Sequence, residues 1–252
     1  MKLLVVGSGG REHAVIRKLK ENKEIEKIYC APGNGGISAD AECVDIKATD
    51  KENMVKFAKE NAIDFCVVTP DDPLALGMVD VMEEAGIPCF GPKANAAIIE
   101  ASKAFSKDLM KKYGIPTADY ETFDNEKDAL HYIEEKNTFP IVIKADGLAL
   151  GKGVLICETL DDAKTALREM MVEHVFGLSG NKVVVEEFMT GKEVSVLAFT
   201  DGNVVKPMIS SMDHKRAYDN DEGLNTGGMG TIAPSPYYTK EIAETCMETI
   251  FL

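Results

Sequence analysis

The 252 residues leave room for about two domains at a usual size of roughly 150 residues each, and the 45% hydrophobic content excludes a disordered or fibrous protein. Twenty-eight basic against 42 acidic residues give a net charge of −14, a balance that repels nucleic acid and anionic membranes and excludes both as default partners. The first apolar run stops at Gly7, too short for a signal peptide or a membrane span. The six cysteines form no C-x-x-C pair, so a reduced, cytoplasmic protein is expected.

In chain order, Leu3–Val6 predicts a short strand, followed by a glycine turn and a helical pattern from Glu12 to about Glu21. Lys27–Cys30 reads as the next strand, Met54–Glu60 as a helix, Phe65–Thr69 as a buried strand, Leu74–Ala85 as a helix and Ile87–Phe90 as a strand. Strands alternating with short helices imply parallel pairing and right-handed crossovers, hence a doubly wound α/β unit over roughly residues 1–100. Gly91-Pro92 closes it, and Ala101–Tyr113 forms a helix ended by Gly114 and Pro116. The rhythm then changes. Tyr120–Phe123, Ile141–Ala145, Val154–Cys157 and Val183–Glu186 read as strands, with helices at Glu126–Glu135 and Asp161–Val175. The short link from Ala145 to Val154 joins antiparallel neighbours, so this part is α+β. Val194–Thr200 and Val204–Ser211 predict a hairpin turning at Asp201-Gly202-Asn203. Lys240–Leu252 is an amphipathic helical pattern that stops on Ile250-Phe251-Leu252 without a cap, which creates the expectation of a chain cut short.

Two glycine loops fall at the carboxyl edge of the first unit. Gly7-Ser8-Gly9-Gly10-Arg11-Glu12 follows a strand and opens a helix, but Glu12 stands where the third glycine of G-x-G-x-x-G belongs. The second expected strand ends in Tyr29-Cys30-Ala31-Pro32, with no acid for a ribose, so a dinucleotide site is excluded. The turn either binds a phosphate through free N–H groups and Arg11 or is a tight turn that binds nothing. Ala31-Pro32-Gly33-Asn34-Gly35-Gly36 is the second loop, and two loops on one edge favour a phosphosugar site.

The most informative stretch runs from Ile141 through Lys144, Gly147, Gly151, Lys152 and Gly153 to Val154. A lysine ends an apolar strand, and a loop with three glycines and a second lysine returns into another strand. Glycines let N–H groups approach phosphate oxygens, and lysines neutralise them. A P-loop is excluded, because the spacing is wrong and the loop leads into a strand. Val183–Met189 is a buried strand ending in Glu186 and Glu187, with Glu193 close behind; each acid alone reads more readily as solvation of a strand end than as a ligand contact. The four histidines are scattered and support no histidine metal site.

Lys144, the Gly151–Gly153 loop, Glu186-Glu187-Phe188 and Glu193 occur in the order and spacing of ATP-grasp enzymes. More specifically, the blocks Gly7–His13, Ala31–Gly36, Ser102–Phe105, Lys144–Leu148, Asp213-His214-Lys215-Arg216 and Asn225–Gly230 resemble the phosphoribosylamine–glycine ligase family over nearly the whole chain. That resemblance implies a doubly wound N-terminal sheet before α+β ATP-grasp subdomains. Their expected bounds are 1–101 for a phosphosugar-binding domain, 118–189 for a small lid domain, and 102–117 with 190–252 for an incomplete ATP-grasp core.

It also implies ligation of glycine to 5-phosphoribosylamine, with ATP split to ADP and phosphate through a glycyl phosphate, in purine synthesis by a monomer or weak dimer. Lys103 and Lys144 would hold ATP phosphates under a lid formed by Gly151, Lys152 and Gly153. Glu186, Glu187 and Phe188 would bind adenine, and Glu193 the ribose. Asp213, Lys215 and Arg216 would line the acceptor side, with Lys144 completing the catalytic set. Asn225, Thr226, Gly227, Gly228, Met229 and Gly230 would face glycine or the acyl phosphate. Gly9, Gly10, Arg11 and Glu12, with Asn34, Gly35 and Asp71, would serve the phosphosugar. Where the family has Gly-Pro-Glu this chain reads Thr69-Pro70-Asp71, its acid one methylene shorter. The family's Mg²⁺ or Mn²⁺ ligands, Glu-x-Asn and Arg-Phe-Gly-Asp-Pro-Glu, are absent from these residues, so no metal ligand is assigned and a chain inactive by itself is expected. The open alternatives are a non-catalytic nucleotide-binding remnant and another ligase on the same scaffold, such as a biotin-carboxylase-like enzyme.

Overall fold

The computed structural model describes residues 1–148, 153–226 and 228–252. The chain divides into two units, Met1–Ser102 and Lys103–Leu252. Among the described residues no helix is long and apolar enough to cross a membrane.

The first unit is built on a parallel sheet of β1 (Lys2–Gly7), β2 (Lys27–Pro32), β3 (Glu42–Cys43), β4 (Phe65–Val68) and β5 (Cys89–Phe90), in the order β3-β2-β1-β4-β5. The order reverses beside β1, so the chain leaves β1 and β4 in opposite directions and opens a crevice at their carboxyl ends. Leu3 and Val5 pack on one face with Ile16 of α1 (Gly10–Leu19). Leu4 and Val6 pack on the other with Met54 of α2 (Lys51–Glu60) and Met78 and Met82. Strands buried on both faces explain the unbroken Leu3–Val6 run.

The first unit and the helix that follows it depart from the expected pattern at three places. Leu74–Ala85 is two helices, α3 (Asp71–Ala75) and α4 (Met78–Glu84), because Gly77 between them takes φ +81°, a left-handed backbone that ends a helix. The two-residue β3 escaped the sequence pattern. The helix expected over Ala101–Tyr113 is α6 (Lys103–Tyr113), and a helix the pattern did not announce, α5 (Ala94–Ala101), precedes it, the two broken where Ser102 is extended.

In the second unit β6 (Tyr120–Phe123), β7 (Ile141–Ala145), β8 (Val154–Cys157) and β9 (Val183–Glu187) make an antiparallel sheet, order β6-β9-β7-β8. Ile141, Ile143, Val183 and Val185 cover one face against α7 (Glu126–Lys136) and α8 (Leu160–Leu167). The helix expected over Asp161–Val175 keeps its α-geometry only to Leu167, and Arg168–Val172 widens into a π-turn. Beyond β9 the chain forms two-stranded ribbons. These are β10 (Ala198–Thr200) with β11 (Val205–Pro207), β12 (Met212–Asp213) with β15 (Thr231–Ile232), and β13 (Arg216–Tyr218) with β14 (Glu222–Asn225). Helix α9 (Lys240–Cys246) follows. The expected hairpin turn forms because the Asp201 carboxylate accepts from the amides of Asn203 and Val204, both at 2.9 Å.

Candidate functional site

The first cluster lies at the carboxyl edge of the parallel sheet. The loops after β1 and β2 are tied together, with the Gly33 amide donating to the Gly7 carbonyl at 3.0 Å and Asn34 Nδ2 to the Ser8 carbonyl at 2.7 Å. Gly9, Gly10, Arg11, Asn34 and Gly35 therefore share one edge, which Asp71 joins from the first turn after β4. Not every side chain there is open to a ligand. Glu12 is buried and accepts from the Gly9 amide at 2.7 Å and Thr69 Oγ1 at 2.8 Å, so its carboxylate braces the turn from within. Asn34 Oδ1 accepts from the amides of Gly36 and Ile37, both at 2.8 Å, which commits its side chain to shaping the loop. Arg11 and Asp71 are exposed. Beside the second loop, Asp40 receives His13 Nε2 at 2.8 Å and Lys20 Nζ at 2.7 Å. The hydrogen bonds, from Lys20 first and His13 second, hold its carboxyl down at about 2.

The second cluster is polar and buried. Across the antiparallel sheet Lys144 stands opposite Val184 and Val142 opposite Glu186, which puts all four on the face away from α7 and α8. Helix α6 supplies the opposing surface, because Ala104 and Lys107 form its buried stripe. Glu186, 5% exposed, sits between two ammonium groups, with Lys144 Nζ 2.7 Å from Oε1 and Lys107 Nζ 3.0 Å from Oε2. The Lys144 approach is an ion pair without hydrogen-bond alignment. Lys107 also donates to Thr117 Oγ1 at 2.8 Å and the Ala118 carbonyl at 3.1 Å, and lies 5.3 Å from the Tyr120 ring centre. Burial first, then the Asp108 hydrogen bond, pushes the Tyr120 phenol up to about 12, so it stays neutral beneath these cations.

A stitch at the end of β7 explains the break before α6. Asp146 accepts the Lys103 amide at its carbonyl (3.1 Å) and the Ala104 amide at its carboxylate (2.7 Å), satisfying two free donors of the helix start from a distant part of the chain. Lys103 Nζ donates to the Gly147 carbonyl at 2.9 Å, which sets Lys103 beside the segment following Lys144. Gly147 is required there, since a Cβ would lie 2.5 Å from Ser179 Oγ. Gly153 is buried; Gly151 and Lys152 lie outside the described residues.

Glu187 is exposed and accepts the Asp119 amide at 3.1 Å, and Phe188 is partly exposed at the strand's end. Glu193 meets Lys215 at 3.1 Å, and Lys215 lies 3.7 Å from Asp213. The two late motifs come together as one ribbon. The Thr226 amide donates to the Lys215 carbonyl at 2.7 Å, the Met229 amide to the His214 carbonyl at 2.7 Å, and the His214 amide to the Gly230 carbonyl at 2.9 Å. Arg216 donates to the Gly223 carbonyl at 2.6 Å and its backbone pairs with Asn225, while the Gly228 amide donates to Thr226 Oγ1. Gly227 lies outside the described residues.

A model described as the phosphoribosylglycinamide synthetase ATP-grasp (A) domain matches residues 101–252, and one described as the N domain matches residues 1–100. The chain belongs to the phosphoribosylglycinamide synthetase family. Within that family it is 49% identical over 99% of its length to a phosphoribosylamine–glycine ligase of Clostridium acetobutylicum, and 51% identical over its whole length to one of Listeria monocytogenes. It spans about 60% of the length of each of these curated relatives. The solved phosphoribosylamine–glycine ligase of Thermotoga maritima superposes with a TM-score of 0.82 at 31% identity, over 99% of this chain and 60% of that one. The biotin carboxylase domain of Hydrogenobacter thermophilus 2-oxoglutarate carboxylase shares the fold at 20% identity, with a TM-score of 0.78 over 99% of this chain and 56% of that one.

Lys107 had escaped the sequence reading. The available signal was its spacing, three residues after Ala104 and four after Lys103, which puts a lysine on the apolar side of an otherwise ordinary amphipathic helix.

Proposed function

We propose that this chain supplies the phosphosugar- and nucleotide-handling parts of an enzyme that joins glycine to 5-phosphoribosylamine, splitting ATP to ADP and phosphate, in purine biosynthesis. The family membership supports this reading, and so does the strand-end Lys144, held 2.7 Å from Glu186 beside the Gly147 turn. In this reading residues 1–101 serve as the phosphosugar domain, 118–189 as the lid, and 102–117 with 190–252 as the ATP-grasp core. This reading places the enzyme in the cytoplasm.

In this reading the glycine carboxylate attacks the γ-phosphorus and ADP leaves; the sugar amine then attacks the acyl carbon and phosphate leaves. Phosphoryl transfer asks mainly for positioning and charge neutralisation, which Lys103 and Lys144 provide for the phosphates. The backbone after Glu186 meets the adenine edge and Phe188 its face, while the Glu186 carboxylate stays with the two lysines. Glu193 serves the ribose. Asp213, Lys215, Arg216 and the Asn225–Gly230 backbone hold glycine and the acyl phosphate. Arg11 and the N–H groups of Gly10 and Gly35 take the phosphosugar, while the Gly9 amide stays with Glu12 and shapes the turn. Among the described residues no group of three or more His, Cys, Asp or Glu side chains is placed to hold a metal ion.

The test is ADP release by the protein as its gene encodes it, with glycine and freshly generated phosphoribosylamine. Release that needs both substrates and falls by about 10²-fold or more in Lys144→Ala is expected, the size of losing a phosphate-neutralising group. Nucleotide binding without any turnover would favour a binding module instead.

A further inference from the structure

Among the described residues Lys107 is the one lysine below a tenth exposed, at 6%. An ammonium taken out of water is costly unless its partners compensate. Here they do, through the Thr117 hydroxyl, the Ala118 carbonyl, the Glu186 carboxylate and the face of Tyr120. None of these points Lys107 toward the Gly147 turn. Its contact with consequences for a ligand is Glu186.

The charge balance around Glu186 is one carboxylate against two ammonium groups. The two differ in access: the Lys144 side chain is 28% exposed and that of Lys107 is 8%. With Lys144 alone, Glu186 would form a neutral pair, and Lys144 would be spent as a counter-ion. A second, permanently buried cation reverses this. We propose that Lys107 is a positioning residue for phosphate binding: it neutralises Glu186 from the interior, so that Lys144 presents an uncompensated positive charge to the phosphates of a bound nucleotide. Lys107 acts without touching the ligand. The proposal rests on the nucleotide reading above and adds to it a residue and a division of labour between two lysines.

Charge and structure separate in a comparison of ADP with adenosine, measured by calorimetry in magnesium buffer on the protein as its gene encodes it. Lys107→Met is expected to weaken ADP binding by about tenfold or more while leaving adenosine binding nearly unchanged. Lys107→Met combined with Glu186→Gln restores the single net positive charge and removes the unpaired buried carboxylate, so it is expected to fold and to regain most of the ADP affinity even where the single variant does not fold. Lys107→Met that binds ADP like the wild type overturns the proposal. So does a double variant that folds but stays as weak as the single one, or an equal loss for ADP and adenosine. A wild-type protein that binds neither ligand removes the nucleotide reading itself, an outcome distinct from any of these.

Discussion

The sheet β6–β9 and the ribbons that follow it differ in what backs their strands. Val183, Val184 and Val185 are at most 1% exposed, while Leu197 and Ile209 are 57% and 71% exposed. Among the described residues no apolar side chain after Val185 is buried. The sheet has helices on one face and α6 on the other, whereas each ribbon is a pair of strands. A groove of about 660 Å³ between Val194, Val196, Tyr237, Ile242 and Ile250 marks the same looseness. The lesson is that an apolar strand becomes core only when another element covers it. The buried lysine cluster belongs to the covered region, and the Asp213–Arg216 ribbon to the uncovered one.

The largest expected difference is in hydrogen exchange. Amides of β7 and β9 should exchange at least about a thousandfold more slowly than those of β10 and β11, because local opening of a ribbon costs little. Equal protection in the two regions would break the contrast. Next in size, Ile143→Ala should lower stability by about 2–5 kcal/mol in urea unfolding, as large-to-small changes in a packed core do. Ile209→Ala should stay within about 0.5 kcal/mol, and matching losses would mean that the ribbon is packed after all. The smallest effect concerns acid. Bonds from Asn203 and Val204 hold the Asp201 carboxyl below its ordinary 3.8. A lowered folded-state value means that the turn's support is complete above that ordinary value and fades as pH falls through the folded one. The amide shifts of Asn203 and Val204 should therefore move in acid below about pH 4.

Much of this was open to reading in the chain itself. The runs at Leu3–Val6, Phe65–Val68 and Val183–Val185 announce strands buried on both faces, and Asp201-Gly202-Asn203 announces its turn. Local patterns fail where the deciding partner is remote. Ser102 breaks a helix because Asp146 takes the next helix's free amides. Glu12 sits in a ligand-like glycine turn, yet its carboxylate is bound to Gly9 and Thr69. Lys107 reads as one more solvated lysine until Glu186 is placed beside it.

By its sequence alone the protein was determined to be a doubly wound α/β unit followed by an α+β unit, with lysines and glycines placed for phosphate, because side-chain periodicity and glycine spacing are local properties. Only the tertiary structure decided which charges remain available to a ligand. Availability depends on what each carboxylate and ammonium is already paired with, and at Glu186 those partners come from separate stretches of chain folded together in a medium where an unpaired charge is costly.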